Sequence, residues 1–163
     1  PAAPIPYCRM NTTIPAFELF NEIGIINQLS TTMFERVLPK GMTQAQFTVL
    51  NHFVRLGHQE RSPAQLAFAF QVTRPTMTST LTRMERAGLI AIRPDPQDGR
   101  GKRVSLTEKG HAMREACIAA ASVLFPMLDG LITDSELEAI LPPLTRLRKA
   151  LDEMRNAKAT EPA

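Results

Sequence analysis

The chain has 163 residues, of which 44% are hydrophobic and 21% are charged. This length suits one domain or two closely packed halves, and the composition is too apolar for a disordered protein. The formal net charge is +3 and the pI is near 9.2, which is compatible with an acidic partner but does not select one. No apolar run reaches the roughly 18 residues that a membrane-spanning helix requires.

The termini and the cysteines give no sign of secretion. Residues 1–13 are rich in proline and lack the charged and apolar regions of a signal peptide, so we expect a flexible arm there. A second flexible arm is expected over residues 157–163. Cys8 and Cys117 are the only cysteines and make neither a metal-binding spacing nor a disulfide framework. We therefore expect a reducing, cytoplasmic compartment.

Two helices are predicted at the start of the chain. Apolar residues recur with a helical period over residues 14–38. The next helix begins at Thr43, which has the spacing of a capping box with Gln46, and ends at Gly57.

Two shorter helices and a hairpin are predicted next. Ser62 is expected to cap the first short helix. Thr73 is expected to cap the second, which ends at Gly88. Residues 89–93 and 102–106 alternate as strands do, so they predict a two-stranded hairpin.

The last part of the chain is also predicted to be helical. One helix is expected over residues 107–128, with a weak point at Pro126. The final helix begins with a capping box at Thr133. Pro142 and Pro143 interrupt its pattern, so we expect a kink or a break there.

The order of these elements predicts a fold that is mainly α with a small β-hairpin. A helix, a short turn, a second helix and a hairpin form a winged helix-turn-helix, here over residues 43–106. The helical segments 14–38 and 107–156 flank this lobe. An apolar stripe over residues 137–154 exceeds what a small winged domain can cover, which favours self-association.

The second short helix has a polar side of unusual composition. Its apolar side is a narrow stripe of Met77, Leu81 and Met84. Its other side shows Thr73, Arg74, Thr76, Thr78, Ser79, Thr82 and Arg83. Threonine and serine are poor helix formers, but their short hydroxyl groups allow close approach to DNA phosphates and base edges. An ordinary solvent-exposed face is the alternative.

The hairpin tip concentrates positive charge. Residues 72–103 contain seven basic and three acidic residues, a net charge of +4. Arg100, Lys102 and Arg103 lie at or beside the tip, and the glycines on either side of Arg100 keep it narrow. Such a cationic finger suits the minor groove of DNA. We expect Asp98 to have a structural role, by pairing with a nearby arginine or by capping the turn. The alternative for the whole hairpin is an ordinary charged turn exposed to solvent.

These stretches resemble a known family. "DPQDGRGKRVSLTEKG" resembles the wing signature of MarR-type transcriptional regulators, and "MTQAQFTVL", "SPAQLA" and "TRPTMTSTLTRMERAGLI" resemble the helices that precede it. The resemblance covers residues 40–112 well and the flanking helices by pattern only. Gln97 departs from the family pattern, where arginine is frequent, and this removes one cation from the wing. The two prolines in the last helix are a second departure.

The resemblance implies roles for individual residues. The DNA contacts of the recognition helix would be Thr73, Arg74, Thr76, Thr78, Ser79 and Arg83. In the wing, Arg100 would enter the minor groove, Lys102 would contact DNA, and Asp98 would hold the wing's shape.

The resemblance also implies a homodimer whose first and last helices interlock, so that residues 14–38 and 107–156 form a dimerisation region. Such a dimer would bind double-stranded DNA at an inverted repeat with half-sites about 34–36 Å apart, and we expect a repressor.

Family resemblance also implies a signal that releases the DNA, often an aromatic acid or an oxidant. His52 and Arg55, three residues apart on one helix, are candidates for an anion site beside Phe34 and Phe53, and an exposed polar edge is the alternative. An oxidant would need a reactive thiolate, but Cys117 lies on an alanine-rich helix face that favours the core.

Other classes of function have little support in the sequence. The three histidines are scattered, so no metal or other cofactor is expected. No catalytic constellation is recognisable, and "GRGK" lacks the spacing of a phosphate-binding loop, so we do not expect an enzyme. The alternative from another class is a winged-helix protein-interaction module that does not bind DNA, whose binding would depend only weakly on salt.

Overall fold

The computed structural model describes residues 15–99 and 101–158. The elements, in chain order, are α1 (Pro15–Val37), α2 (Gln44–Leu56), α3 (Pro63–Ala69), α4 (Arg74–Arg86), β1 (Ile90–Pro94), β2 (Lys102–Leu106), α5 (Glu108–Ala121), a 3₁₀ helix (Ser122–Leu128) and α6 (Asp134–Lys158). The predicted fold, mainly α with a small hairpin, is confirmed. None of the described helices combines the length and the apolar character needed to cross a bilayer.

Some expectations lie outside the described residues. These are the arm of residues 1–13, which includes Cys8, and most of the arm predicted at the other end of the chain. Of that second arm, residues 157 and 158 are described, and both belong to α6. Arg100, at the predicted wing tip, also lies outside the described residues.

Hydrogen bonds from capping residues explain where α2 and α3 begin. The Thr43 hydroxyl accepts the Gln46 N–H at 3.3 Å, and the Gln46 side chain accepts the Thr43 N–H at 3.0 Å, as predicted. Ser62 and Gln65 form a second capping box, with distances of 3.2 and 2.9 Å, which the sequence analysis did not identify. Each box satisfies two backbone N–H donors. The N-termini of these helices are therefore stabilised by local hydrogen bonds, without contacts from distant parts of the chain.

The chain divides into two compact units, one ending at Ala121 and the other beginning at Ser122. The core of the first unit consists of Val49, Leu50, Phe53, Leu66, Ala67, Met77, Leu81, Met84, Leu89, Ile90 and Val104. It therefore draws on α2, α3, α4 and both strands, and the predicted apolar stripe of α4 is buried in it. Helix α1 has no buried residue.

Two predictions for the helices after the wing need correction. The helix expected over residues 107–128 ends at Ala121 and continues as the 3₁₀ helix, which contains Pro126. Proline lacks the N–H that an α-helix would use there, and its ring clashes with the carbonyl four residues back. Of the kink or break expected at Pro142 and Pro143, the break is wrong, because α6 runs through both without interruption, and the kink stays a prediction.

The prolines of α6 remove only two hydrogen bonds from a helix of 25 residues. The predicted capping box holds its start, since Glu136 N–H lies 3.3 Å from the Thr133 hydroxyl and the Glu136 carboxylate accepts the Thr133 N–H at 2.8 Å. Asp152 forms ion pairs with Arg148 and Arg155 near its end, at 3.1 and 3.2 Å.

Candidate nucleic-acid interface

The predicted recognition helix, α4, begins on a preorganised cap. The Thr73 hydroxyl accepts the Thr76 N–H at 3.3 Å and lies 2.8 Å from the Thr76 hydroxyl. Pro75 occupies the first turn, where its missing N–H has no helical partner to lose. The hydroxyl groups of two predicted contacts are thus held together at the positive end of the helix dipole, where phosphate binds favourably.

The remaining predicted contacts lie along one exposed side of α4. Arg74, Thr78, Ser79 and Arg83 are exposed, as are both cap threonines. Among the described residues, neither arginine forms an ion pair, so both guanidinium groups can engage an external anion. Thr80 instead lies on the buried side of the helix, where its hydroxyl donates to the Thr76 carbonyl at 3.1 Å.

A tight turn sets the direction of α4 relative to α3. Gln71 has a φ of 53°, the left-handed conformation, and is the one non-glycine residue among those described with a positive φ. Its side-chain amide donates to the Phe68 carbonyl at 2.8 Å, and Val72 N–H donates to the Ala67 carbonyl at 3.1 Å. These bonds offset the cost of the strained backbone.

The wing is an antiparallel hairpin in which Ile90 pairs with Leu106 and Pro94 with Lys102. Beyond the last pair, Asp95 N–H donates to the Gly101 carbonyl at 2.9 Å, and Gly101 N–H donates to the Asp98 carbonyl at 2.8 Å. The tip is therefore a hydrogen-bonded turn, and Asp98 contributes to its shape through its backbone.

Asp95 is a structural residue of the wing that the sequence analysis did not identify. Its carboxylate accepts the Gln97 N–H at 3.0 Å and the Arg103 Nε–H at 2.7 Å. The hydrogen bond from Gln97, followed by the contact with Arg103, lowers the pKa of Asp95 below its ordinary value. Arg103, counted among the cations of the tip, is therefore engaged within the wing, whereas Lys102 is exposed.

The wing is attached to the lobe at two places. Arg61 pairs with Val104 of β2, with backbone N–O distances of 3.0 and 2.8 Å. At the junction of α4 and α5, the Thr107 hydroxyl donates to the Gly88 carbonyl and Lys109 Nζ donates to the Ala87 carbonyl, both at 2.7 Å. These bonds satisfy carbonyl groups that follow α4 and hold the helix against the hairpin.

An open groove of about 640 Å³ joins the two predicted DNA-binding elements. Arg74 and Thr78 of α4 line it together with Lys102 of the wing. The structure thus brings predicted contacts from both elements to one surface. Three carboxylates, Glu85, Asp95 and Asp98, also line the groove, and the Arg103 side chain neutralises the charge of Asp95.

The residues predicted to form an anion site are brought together only in part, since the rings of His52 and Phe53 have centroids 6.5 Å apart. Phe34 packs against Phe47 with ring centroids 5.1 Å apart, and His52 packs against Phe70 at 5.0 Å. Phe53 is 1% exposed within the core, and Arg55 is exposed. Ligand binding by Phe34, His52, Phe53 and Arg55 stays a prediction.

The histidines are less scattered than the sequence suggests. The rings of His52 and His58 have centroids 5.5 Å apart, because the turn after α2 brings His58 back towards the helix. No group of three potential metal ligands was found among residues 15–99 and 101–158. Cys117 is fully buried, as expected, and burial raises the pKa of its thiol, which disfavours the reactive thiolate.

Comparisons with known proteins agree with this geometry. A MarR family model matches residues 40–101. Apo MarR from E. coli is 27% identical with a TM-score of 0.69, covering 79% of this chain and 95% of that chain. A cysteine-to-serine mutant of E. coli MarR, complexed with operator DNA, is 27% identical with a TM-score of 0.66, covering 82% and 95%.

A third structure shows a likeness of fold alone. It concerns Bordetella bronchiseptica BpsR, whose DNA binding is regulated by 6-hydroxynicotinic acid. This protein is 24% identical with a TM-score of 0.66, covering 80% of this chain and 98% of that chain. The family match spans α2, α3, α4 and most of the wing, and the structural matches extend beyond it. The comparisons therefore support a winged helix-turn-helix regulator of the MarR family, with the family model matching the predicted DNA-binding lobe.

Proposed function

We propose that this regulator is a homodimeric, cytoplasmic repressor that binds an inverted-repeat operator and releases it when a small aromatic carboxylate binds. The similarity to the MarR family supports regulation of transcription rather than catalysis. The observation that carries the finer proposal is the single groove shared by the hydroxyl-rich face of α4 and the cationic wing.

The chemistry of the groove matches a DNA duplex. In the proposed complex α4 enters the major groove, where Ser79 and Arg83 contact base edges. Thr73, Arg74, Thr76 and Thr78 contact the phosphates beside them, with the helix dipole adding favourable charge. Arg100 and Lys102 of the wing follow the adjacent minor groove, and Asp98 helps to shape the turn between the strands.

A homodimer would cover apolar surface that the single chain leaves exposed. On α1 the exposed apolar residues include Phe17, Phe20, Ile23, Ile26 and Leu29, the last two at 60% exposure. On α6 they include Leu137, Ile140, Leu141, Leu151 and Met154. Exposed apolar stripes of this extent are typical of protein interfaces, so residues 14–38 and 107–156 are proposed as the dimerisation region.

The proposed effector follows from a structural relative and from the aromatic surroundings of α2. The DNA binding of BpsR responds to 6-hydroxynicotinic acid, an aromatic carboxylate. In this chain the proposed donors to the carboxylate are His52 and Arg55 of α2, and Phe34 is the proposed ring contact. Phe53 is 1% exposed and packs against His52 from the core. A compound of the same class is therefore the proposed signal.

Fluorescence anisotropy with labelled duplexes tests the DNA-binding proposal. The DNA upstream of the protein's own gene is compared with a random duplex, with and without a panel of aromatic carboxylates. Specific binding is expected to weaken by about 10³-fold or more between 50 and 200 mM salt, because many phosphate contacts release counterions. Weak salt dependence with no preference for either duplex would instead support a protein-interaction module.

Truncation tests the dimer. The full chain is expected to have the mass of a dimer by light scattering, and a chain ending before Thr133 is expected to be monomeric or insoluble. A soluble dimer of the truncated chain would contradict the assignment of α6 to the dimer interface.

A further inference from the structure

Arg114 of α5 makes a forked contact with Asn51 of α2. Its Nε and Nη2 atoms donate to the Asn51 Oδ1 atom at 3.1 and 3.0 Å, and its Nη1 atom donates to the Glu115 carboxylate. A guanidinium group has no acceptor, so the contact also fixes the orientation of the Asn51 amide. The Arg114 side chain is 19% exposed, which shields the contact from water. The two residues are 63 positions apart, so the contact joins two separate elements.

This contact attaches α5 to the winged lobe at a second place. At the start of α5, the Thr107 hydroxyl and Lys109 Nζ each donate to a carbonyl group that follows α4. Arg114 lies further along α5, and its partner Asn51 lies within α2, directly after Leu50 of the core. A helix attached at one place can pivot about it, whereas a bond to another element further along fixes its direction. Arg114 therefore limits how far α5 can tilt against the lobe.

We propose that Arg114 is a positioning residue, which sets the spacing of the two α4 helices in the dimer by fixing α5 against Asn51 of α2. The inference rests on the proposed function as a homodimer on an inverted repeat, with α5 in the dimerisation region. Because the lobe carries α4 and the subunits join through the flanking helices, the angle between α5 and the lobe determines where each α4 lies. The separation of the two α4 helices in turn selects the spacing of the half-sites.

A small tilt is enough to change the preferred spacing. Helix α4 has 13 residues and is therefore about 20 Å long. Tilting a lever of that length by about 10° displaces its end by about 3.5 Å, which is close to one base-pair step in DNA. Arg114 does not line the groove beside α4, so its loss is expected to relax the spacing and to leave the contacts with each half-site in place.

Selection of binding sites from a duplex pool with randomised central base pairs tests the proposal on the full chain. The unmodified protein is expected to select inverted repeats of one spacing. Anisotropy then gives the ratio of affinities for that duplex and for duplexes with one base pair added or removed at the centre. Because the ratio is measured within each variant, it does not depend on the fraction of the protein that is folded.

Removal of either partner is expected to relax the spacing preference. Arg114→Met and Asn51→Leu should each lower the affinity ratio about tenfold, since a hydrogen bond from a charged donor stabilises by roughly that factor. Asn51→Asp keeps an acceptor for Arg114 and is expected to keep the ratio. Glu115→Gln is the matched control, because it removes the exposed partner of Arg114 and leaves the contact with α2.

The distance between the two lobes of a dimer gives a second readout that needs no DNA. In a Cys8→Ser background, a spin label on Arg86→Cys, at the exposed end of α4, reports the separation of the two α4 helices. Cys117 is fully buried and is not expected to react with the label. Arg114→Met is expected to broaden or shift the distance distribution, and Glu115→Gln to leave it unchanged.

Three results would overturn the proposal. They are an unchanged spacing preference in Arg114→Met, a loss of affinity that is equal at every spacing, and a loss in Asn51→Asp as large as in Asn51→Leu. Any of these in a dimer that binds an inverted repeat would leave the proposed function standing. A broadened distance distribution in a dimer that does not bind DNA would support the positioning role and overturn only the proposed repressor function.

Discussion

Asp95 and Arg103, eight residues apart in the chain, close the wing with an ion pair of 2.7 Å between Oδ2 and Nε. The Asp95 side chain is 10% exposed and the Arg103 side chain 29%. The pair is therefore better shielded from solvent than an ordinary surface ion pair, and it is supported by the hydrogen bond from Gln97. It holds the base of the tip that carries the proposed minor-groove contact.

Replacing Asp95 by asparagine is expected to loosen the wing. The substitution keeps the size of the side chain but removes the charge that Arg103 and the Gln97 N–H engage. We expect DNA affinity to fall several-fold, with faster hydrogen exchange at the Gln97 and Gly101 amides. Glu60→Gln, at an exposed carboxylate of the same lobe, is the matched control. Unchanged exchange in the wing would contradict this role of Asp95.

The acid dependence of the wing follows from the lowered pKa of Asp95. A carboxylate whose pKa is lower in the folded state stabilises the fold at pH values above its ordinary pKa, which is 3.8. That stabilisation is lost as the pH falls through the pKa of the folded state. The wing contact is thus expected to be intact at neutral pH and to weaken only below pH 3.8. Titration of the Asp95 carboxyl carbon by NMR measures this, and a midpoint at or above 3.8 would be inconsistent with it.

Two neighbouring glycines of the tip should respond differently to alanine. A Cβ on Gly101 would lie 2.9 Å from the Asp95 Cβ and 3.2 Å from the Asp98 carbonyl oxygen, whereas a Cβ on Gly99 would meet nothing within 4 Å. We expect Gly101→Ala to reduce DNA affinity by reshaping the turn, and Gly99→Ala to change it little. Anisotropy titrations of the two variants make the comparison, and equal affinities would argue against a crowded turn.

Gly110 lies where α5 crosses the start of the hairpin. A Cβ there would fall 2.1 Å from the Leu89 carbonyl oxygen, a backbone atom that cannot move alone. Gly110→Ala is therefore expected to destabilise the fold by about 1–3 kcal/mol. At an uncrowded helix position the same substitution would stabilise the helix by about 1 kcal/mol. Urea unfolding measures the change. Ala116→Gly, on the exposed side of α5, gives the effect of helix propensity alone.

Substitutions in the wing and in α4 should have different effects on DNA binding. Arg100→Ala is expected to weaken binding to many sequences alike, because phosphates and groove potential attract the wing. Ser79→Ala and Arg83→Ala are expected to alter sequence preference, at about 1–3 kcal/mol for each lost base contact. Anisotropy against a set of single-base operator variants separates the two patterns. Equal losses on specific and random DNA would reassign Ser79 and Arg83 to phosphate contacts.

Local chemistry in the sequence was enough to predict most of the elements. The caps at Thr43, Ser62, Thr73 and Thr133 each depend on a residue within three positions, so the pattern survives any tertiary arrangement. The apolar stripe of α4 follows from helical periodicity in the same way. The order of these elements predicted the winged helix-turn-helix, and the family resemblance added the expected dimer and the roles of individual residues.

Contacts between distant residues were decided by the tertiary structure. Both Asp95 and Asp98 precede the cations of the tip, and only the hairpin register shows that Asp95 meets Arg103. The close approach of Gly110 to Leu89 and the contact of Arg114 with Asn51 likewise depend on how separate elements pack. Sequence periodicity indicates which side of an element is buried. It does not indicate which other element packs against that side, because this depends on how the whole chain folds.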